Sequence, residues 1–247
     1  MPATVAFFAP SRARQRGMAL YVILVVVMLS MLLALWSSRT ALFNEIVVGN
    51  DADYQRSFEA AQAMIQDAEL DIRRENPDGS PCSVAGACRA GANYHFPAEE
   101  SDLGLLIDRL GAENAKCREG ICQKRTGAQN FWSNPIALAA MTAPGVGARF
   151  GEYTGLTAGG ADQSGATPIL ATTASNQGAW YWVEVMPYNR SSQYLGHVVI
   201  GGAGGQNMVP LHALPAVAYR ITAIAQGIKP GSRVVLQQTY VRQKLKD

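Results

Sequence analysis

Residues 18–36 read MALYVILVVVMLSMLLALW, a run without a charged side chain in which Tyr21 and Ser30 are the only polar ones. As an α-helix the run is about 28 Å long, close to the hydrocarbon thickness of a bilayer. A single Asp or Arg at its centre would cost roughly 3 kcal/mol on insertion, so the segment reads as a membrane span. Arg12, Arg14 and Arg16 precede it, and Arg39 alone follows closely. The positive-inside rule then assigns residues 1–17 to the cytoplasm and the remainder to the far side. An ordinary secretory signal peptide fits less well. Its apolar region is usually ~7–15 residues long and ends in small residues, whereas Leu35-Trp36-Ser37-Ser38-Arg39 is a bulky, basic exit. Hydropathy alone leaves a plain single-span anchor open.

Beyond the span the apolar pattern continues on one side only. Tyr54, Phe58, Ala61, Ile65, Ala68 and Ile72 form a stripe at helical spacing, as expected of a surface helix that covers a core. The opposite face is expected to carry Gln55, Arg56, Glu59, Gln62, Gln66, Asp67, Arg73 and Arg74. Asn76-Pro77-Asp78-Gly79 is the stop. Gly49-Asn50-Asp51 is the weak point, because the Gly costs about 1 kcal/mol in a helix interior. One helix over 18–75 would be about 85 Å long, apolar all round in its first half and amphipathic in its second.

The other 170 or so of the 247 residues are enough for one globular head. The formal net charge is +2, and the 1–17 leader holds three of the 21 basic residues and no acid. A nearly neutral product lacks the basic patch that nucleic-acid binding needs, so no such partner is expected. Lys244 and Lys246 belong to a mildly basic, solvated tail.

Residues 76–178 are rich in Gly, Ala, Ser, Thr and Pro and read as a loop-rich region with short helices such as 101–110. Four cysteines lie there as two close pairs, Cys82 with Cys88 and Cys117 with Cys122. The compartment beyond the membrane permits disulfides. Local pairing is the simplest of the three connectivities that four cysteines allow. A zinc site is the rival reading, but the spacings are looser than in compact zinc modules, and of His95, His197 and His212 only His95 is near. No metal is expected.

From Trp180 the period becomes two. Trp180–Met186, Leu195–Ile200, Val217–Gln226 and Ser232–Arg242 read as strands, the last two joined across Gly227-Ile228-Lys229-Pro230-Gly231 as a hairpin. The fold class is therefore α+β: a long N-terminal helix packed on an antiparallel sheet of about four strands within 179–247. Gly201–Gly205 lacks the spacing of a dinucleotide loop. The pair Glu99-Glu100 reads as a solvated turn. Trp180, Tyr181 and Trp182 read as packing rather than sugar stacking. No catalytic residue and no cofactor is assigned.

Several stretches carry a resemblance. Arg14-Gln15-Arg16-Gly17-Met18-Ala19-Leu20 resembles a prepilin peptidase site. It implies cleavage between Gly17 and Met18, N-methylation of Met18 and retention of the helix. Val22 stands at the fifth mature position, where most pilins carry Glu, and minor and tip subunits share that departure. Phe58-Glu59-Ala60-Ala61-Gln62-Ala63-Met64-Ile65-Gln66-Asp67-Ala68-Glu69 resembles the Ala-rich block of the PilX family, with Gln62 replacing its usual Glu. Cys117-Arg-Glu-Gly-Ile-Cys122 resembles a small loop of such chains. Tyr219–Ala223 with Val234–Tyr240 resembles their terminal block. The resemblance covers both ends and implies a pilin-like fold and a PilX-type minor pilin of the type IV pilus. Leu20, Val22, Phe58, Ala61 and Ile65 would serve the membrane and assembly helix. The implied partners are the prepilin peptidase, other minor pilins, the major pilin and a tip adhesin. The implied location is the inner membrane with a periplasmic head, then the pilus. The alternative is the tip minor pseudopilin of a type II secretion system. A membrane-anchored enzyme or solute-binding module is disfavoured, since no site is visible.

Overall fold

The computed structural model describes residues 16–83, 88–89, 93–98, 100–158, 167–174, 176–187, 197–198, 209–210 and 217–242. The chain divides into two compact units, Met1–Gly49 and Asn50–Asp247. Helix α1, Arg16–Arg73, begins in the first and ends in the second. Residues 49–51 are helical, so the weak point at Gly49 does not interrupt the helix. The helix closes two residues earlier than expected. Arg74 takes a left-handed conformation (φ 59°). The Glu75 N–H then reaches the Leu70 carbonyl at 3.1 Å and the Arg74 N–H the Asp71 carbonyl at 3.2 Å. This pair of bonds satisfies carbonyls that would otherwise be orphaned at the helix end. The Asn76–Ser80 turn follows directly, with Asn76 and Ser80 joined through their main chains at 2.8 Å.

In the first unit every side chain from Met18 to Trp36 is exposed. In the second, α1 buries Ser57, Ala60, Ala61, Met64, Ile65, Ala68 and Ile72. The expected stripe is one flank of this wider face. Phe58 is partly buried against the core, but Tyr54 is half exposed because the buried face is centred on Ser57, Met64 and Asp71 instead.

The main sheet has five strands in the order β1-β2-β3-β6-β7: β1 Cys117–Arg118, β2 Ile121–Gln123, β3 Ala179–Pro187, β6 Val217–Gln226 and β7 Arg233–Tyr240. The three long strands are antiparallel neighbours, as the period-two pattern implies. The α+β class with a long helix on the sheet stands, and two details differ. First, β2 joins β3 in parallel, so the Cys117–Cys122 hairpin extends the sheet. Second, the described part of the strand expected at 195–200 is β4, His197–Val198. It pairs with β5, Val209–Pro210, in a separate two-stranded sheet. The rest of that expected strand, the Gly201–Gly205 stretch, Glu99, His212 and the basic tail lie outside the described residues.

Alternation in β3 and β6 gives the sheet two buried faces. Tyr181, Val183 and Val185 with Val217, Tyr219, Ile221, Ala223 and Ala225 pack with the α1 residues and with Leu103, Leu106 and Leu110 of α2, Glu100–Ala112. Trp180, Trp182 and Ile224 face the other way and meet Cys117, Cys122, Phe131 and Met141. Helix α3, Pro135–Met141, lies on this outer face. Pro135 opens it, and Asn134 caps it by accepting the N–H groups of Ile136 and Ala137 at 2.9 and 3.2 Å, the usual device for orphan donors. A four-residue helix α4, Pro168–Ala171, precedes β3.

Candidate functional site

The expected functional residues fall into two groups. Gly17 and Met18 lie in the first turn of α1, and Met18 is 72% exposed. Leu20 and Val22 are also solvent-exposed, as are Leu42, Phe43, Ile46, Val47 and Val48 farther along. Apolar groups on this scale are not left to water in a soluble monomer. The span from Met18 is long and apolar enough to cross a membrane. Ala61 and Ile65, by contrast, are buried in the head. They hold the sheet to the helix and are not available to another molecule.

The cysteines form two disulfides, Cys82–Cys88 and Cys117–Cys122. Among the described residues no His, Cys, Asp and Glu cluster could hold a metal. His95 is exposed.

The feature that sequence reasoning missed is a set of buried carboxylates on α1. Asp67, expected on the polar face, is fully buried. Its oxygens accept the Gly151 N–H at 2.7 Å and the Thr154 hydroxyl. Gly151 has φ +70°, and a Cβ there would lie 1.8 Å from the Leu156 carbonyl oxygen, so only glycine can present this N–H. Asp71 accepts Arg89 Nε at 2.7 and 2.8 Å and the Tyr181 hydroxyl at 2.6 Å. Arg89 also donates to the Glu119 carbonyl at 2.5 Å and lies 3.8 Å from the centre of the Tyr153 ring. Asp53 accepts the N–H groups of Ile228 and Lys229 at 2.9 and 3.2 Å, capping the β6–β7 hairpin. Gly227 permits that approach, since a Cβ there would sit 2.3 Å from the carboxylate.

These groups therefore tie α1 to the strap that follows Cys88, to the 151–154 turn, to β3 and to the terminal hairpin. Burial raises the Asp67 carboxyl to about 6, only partly opposed by its Thr154 and Gly151 bonds. Asp53 moves the other way: desolvation raises it, but the Lys229 and Ile228 N–H groups prevail and hold it below the usual range. Burial opposes the charge on Arg89, yet Asp71 more than offsets it and the guanidinium stays ionised. Position held the available signal. Asp67 lies seven residues after Ala60 and Asp71 seven after Met64, which places both on the inward face. Nothing in the arrangement forms a nucleophile–base pair; the described polar contacts are structural ties.

The outer face carries a hollow of about 490 Å³ beside the Cys117–Cys122 disulfide, lined also by Phe131, Met141 and Trp182. The model of the type IV pilus assembly protein PilX C-terminal family matches residues 118–242. That span starts within the Cys117–Cys122 hairpin and ends just after β7, so it takes in the whole main sheet except Cys117. This chain belongs to the PilX family. Neither the curated proteins nor the solved structures include a match to it. Membership makes the chain a type IV pilus assembly protein, of a family that is structural rather than enzymatic. The long apolar helix of this PilX-family chain fits membrane anchoring and pilus association.

Proposed function

We propose that this chain is a minor pilin that takes part in assembling and initiating the type IV pilus, presenting its head to other minor pilins, the major pilin and a tip adhesin. Residues 1–17 are the leader, removed by prepilin peptidase after Gly17, and Met18 becomes the methylated N-terminus. Residues 18–36 hold the subunit in the inner membrane before assembly. Residues 37–75 continue the helix into a periplasmic head made of the loop-rich 76–178 and the sheet-forming 179–247. The oxidising periplasm keeps the two disulfides formed. The observation that carries this reading is the division of α1. Its charge-free first part is exposed along its length, while its last turns are the core of a head that the PilX family model matches. A free enzyme or binding module has no need of such an element.

Val22 supports a minor rather than a bulk role. With no carboxylate at the fifth mature position, the helix has no acid there to meet a neighbour's amino terminus, and a buried acid at that depth would need such a partner. Mass spectrometry of the chain purified from cells with prepilin peptidase tests the reading. The expected product starts at methylated Met18. An intact leader, or a start beyond Trp36, would overturn it. Gly17→Leu should leave the leader in place and lower piliation.

A further inference from the structure

We infer that the outer face of the sheet is a docking site for an acidic segment of a partner protein, with one apolar side chain seated in the hollow beside the Cys117–Cys122 disulfide. The first observation is charge. Lys116, Lys124 and Arg125 line the hollow together with a single acid, Glu184. Glu184 is already engaged, accepting the Arg125 N–H at 3.0 Å and pairing with Arg220. None of the three cations meets a carboxylate among the described residues. The Lys116 ammonium rests on the Gly111 carbonyl. The Arg125 guanidinium lies 3.1 Å from Met141 Sδ and 4.8 Å from the centre of the Phe131 ring. Lys124 is exposed, and its ammonium forms no ion pair with another described residue.

The second observation is the composition of the wall. Residues 126–148 contain no charged side chain. Of these, Phe131, Ala137, Ala140 and Met141 line the hollow, and Ile136 on the neighbouring turn of α3 is 82% exposed. An apolar wall with a rim of three cations that meet no carboxylate among the described residues is complementary to carboxylates flanking an apolar side chain. The volume of about 490 Å³ falls within the usual range for a ligand pocket, on the order of 300–1,000 Å³. A nucleic acid fits less well, because it would need a longer basic track than these three cations provide. The docking surface faces away from α1, so occupying it leaves the helix-to-sheet core untouched. It does not depend on the pilus role proposed above.

The test uses the full chain in detergent micelles and a fluorescein-labelled peptide of Asp and Glu with a central Leu-Phe, followed by fluorescence anisotropy. Saturable binding is expected that weakens as salt is added. Lys124→Glu combined with Arg125→Glu should weaken it about tenfold. Ala140→Trp, which fills the hollow without touching a charge, should do the same. Lys229→Glu, on the hairpin beside Asp53, should change nothing. Lys124 and Ala140 are exposed, so Lys124→Glu and Ala140→Trp alone keep the test open if Arg125→Glu disturbs folding; near-UV circular dichroism checks this. Equal binding of the lysine counterpart of the peptide, or of a single-stranded DNA of matched charge, overturns the inference. So does unchanged affinity in the Lys124→Glu and Ala140→Trp variants. Self-association of the chain that those variants abolish would assign the hollow to a second copy and overturn it as well.

Discussion

The two ends of α1 belong to one helix and meet opposite surroundings. From Met18 to Trp36 no side chain is buried and none is charged. From Asp53 to Ile72 the helix carries Asp53, Asp67 and Asp71 fully inside the head. The charge-free end fits a membrane span, since lipid solvates apolar groups and would penalise an acid by roughly 3 kcal/mol. The head end tolerates three acids because each is matched by donors fixed to other elements. Apolarity therefore marks the part of the helix that fits a membrane, and paired polarity the part that fastens the head.

The largest effect should come from breaking one of those ties. Among the described residues, Arg89→Ala leaves the Asp71 carboxylate buried with only the Tyr181 hydroxyl. Stranding one partner of a buried pair costs about 3–5 kcal/mol. Urea unfolding of the full chain in detergent, followed by near-UV circular dichroism, should show that loss. Replacing both partners, Arg89→Met with Asp71→Leu, should cost less than Arg89→Ala, because no charge is then left unpaired. A double variant as unstable as the single one would mean that the strap after Cys88 is held by Arg89 packing on Tyr153 rather than by charge.

A matched pair of substitutions sharpens the comparison within one helix and one residue type. Met64 is fully buried and Met31 is 64% exposed. Met64→Ala should destabilise the head by about 3 kcal/mol, since truncation leaves both a transfer loss and a cavity. Met31→Ala should stay within about 0.5 kcal/mol in the same assay. Similar losses at the two sites would show that the division of α1 drawn above is wrong.

How much of this could be read in advance follows the same division. The apolar first half of α1 was legible because one property, the absence of charge over residues 18–36, marks it without reference to anything else in the chain. The long strands were legible too, since Trp180–Met186 and Val217–Gln226 alternate between two buried faces. The ties were not, because their partners are distant in sequence. Asp67 is satisfied by Gly151, 84 residues on, and Asp71 by Tyr181, 110 residues on. A hydrophobicity pattern therefore assigns Asp67 to solvent even though its spacing from Ala60 places it inside. Strands β1 and β2 escaped for another reason. They have two and three residues, too few to show a period. They exist because the Cys117–Cys122 bridge closes the hairpin and β3 offers an edge for β2.

The buried acids also predict how the head responds to pH. The Asp67 carboxyl titrates near 6 when folded, against an ordinary 3.8. The folded state therefore binds this proton more tightly than the unfolded chain. The associated stability is fully present below about 4 and is lost as pH rises through 6. A shift of about two units corresponds to roughly 3 kcal/mol at most. Asp53 has the opposite sign: its folded value is depressed, so its contribution is present above about 4 and lost on further acidification. Unfolding midpoints in urea should rise from pH 7 to about pH 5 and fall again below about pH 4. Asp67→Asn should flatten the upper limb only. An unchanged upper limb in that variant would assign the dependence to another group.

The smallest effect is expected where the second part of α1 meets solvent. Arg73 Nε lies 2.8 Å from Glu75, and Arg73 Nη1 lies 3.8 Å from Glu69 one turn earlier, with all three side chains partly exposed. The distances are comparable to those of the buried pair, yet water screens these charges and the long side chains lose rotamer freedom when they pair. Glu75→Gln should therefore change the unfolding free energy by less than about 1 kcal/mol, and added salt should erase what difference remains. Arg89–Asp71, at a similar separation, should be nearly indifferent to salt. If Glu75→Gln matched Arg89→Ala in cost, burial would not be what distinguishes the ties from the surface pairs, and the left-handed turn at Arg74 would have to depend on the Glu75 side chain for its closure.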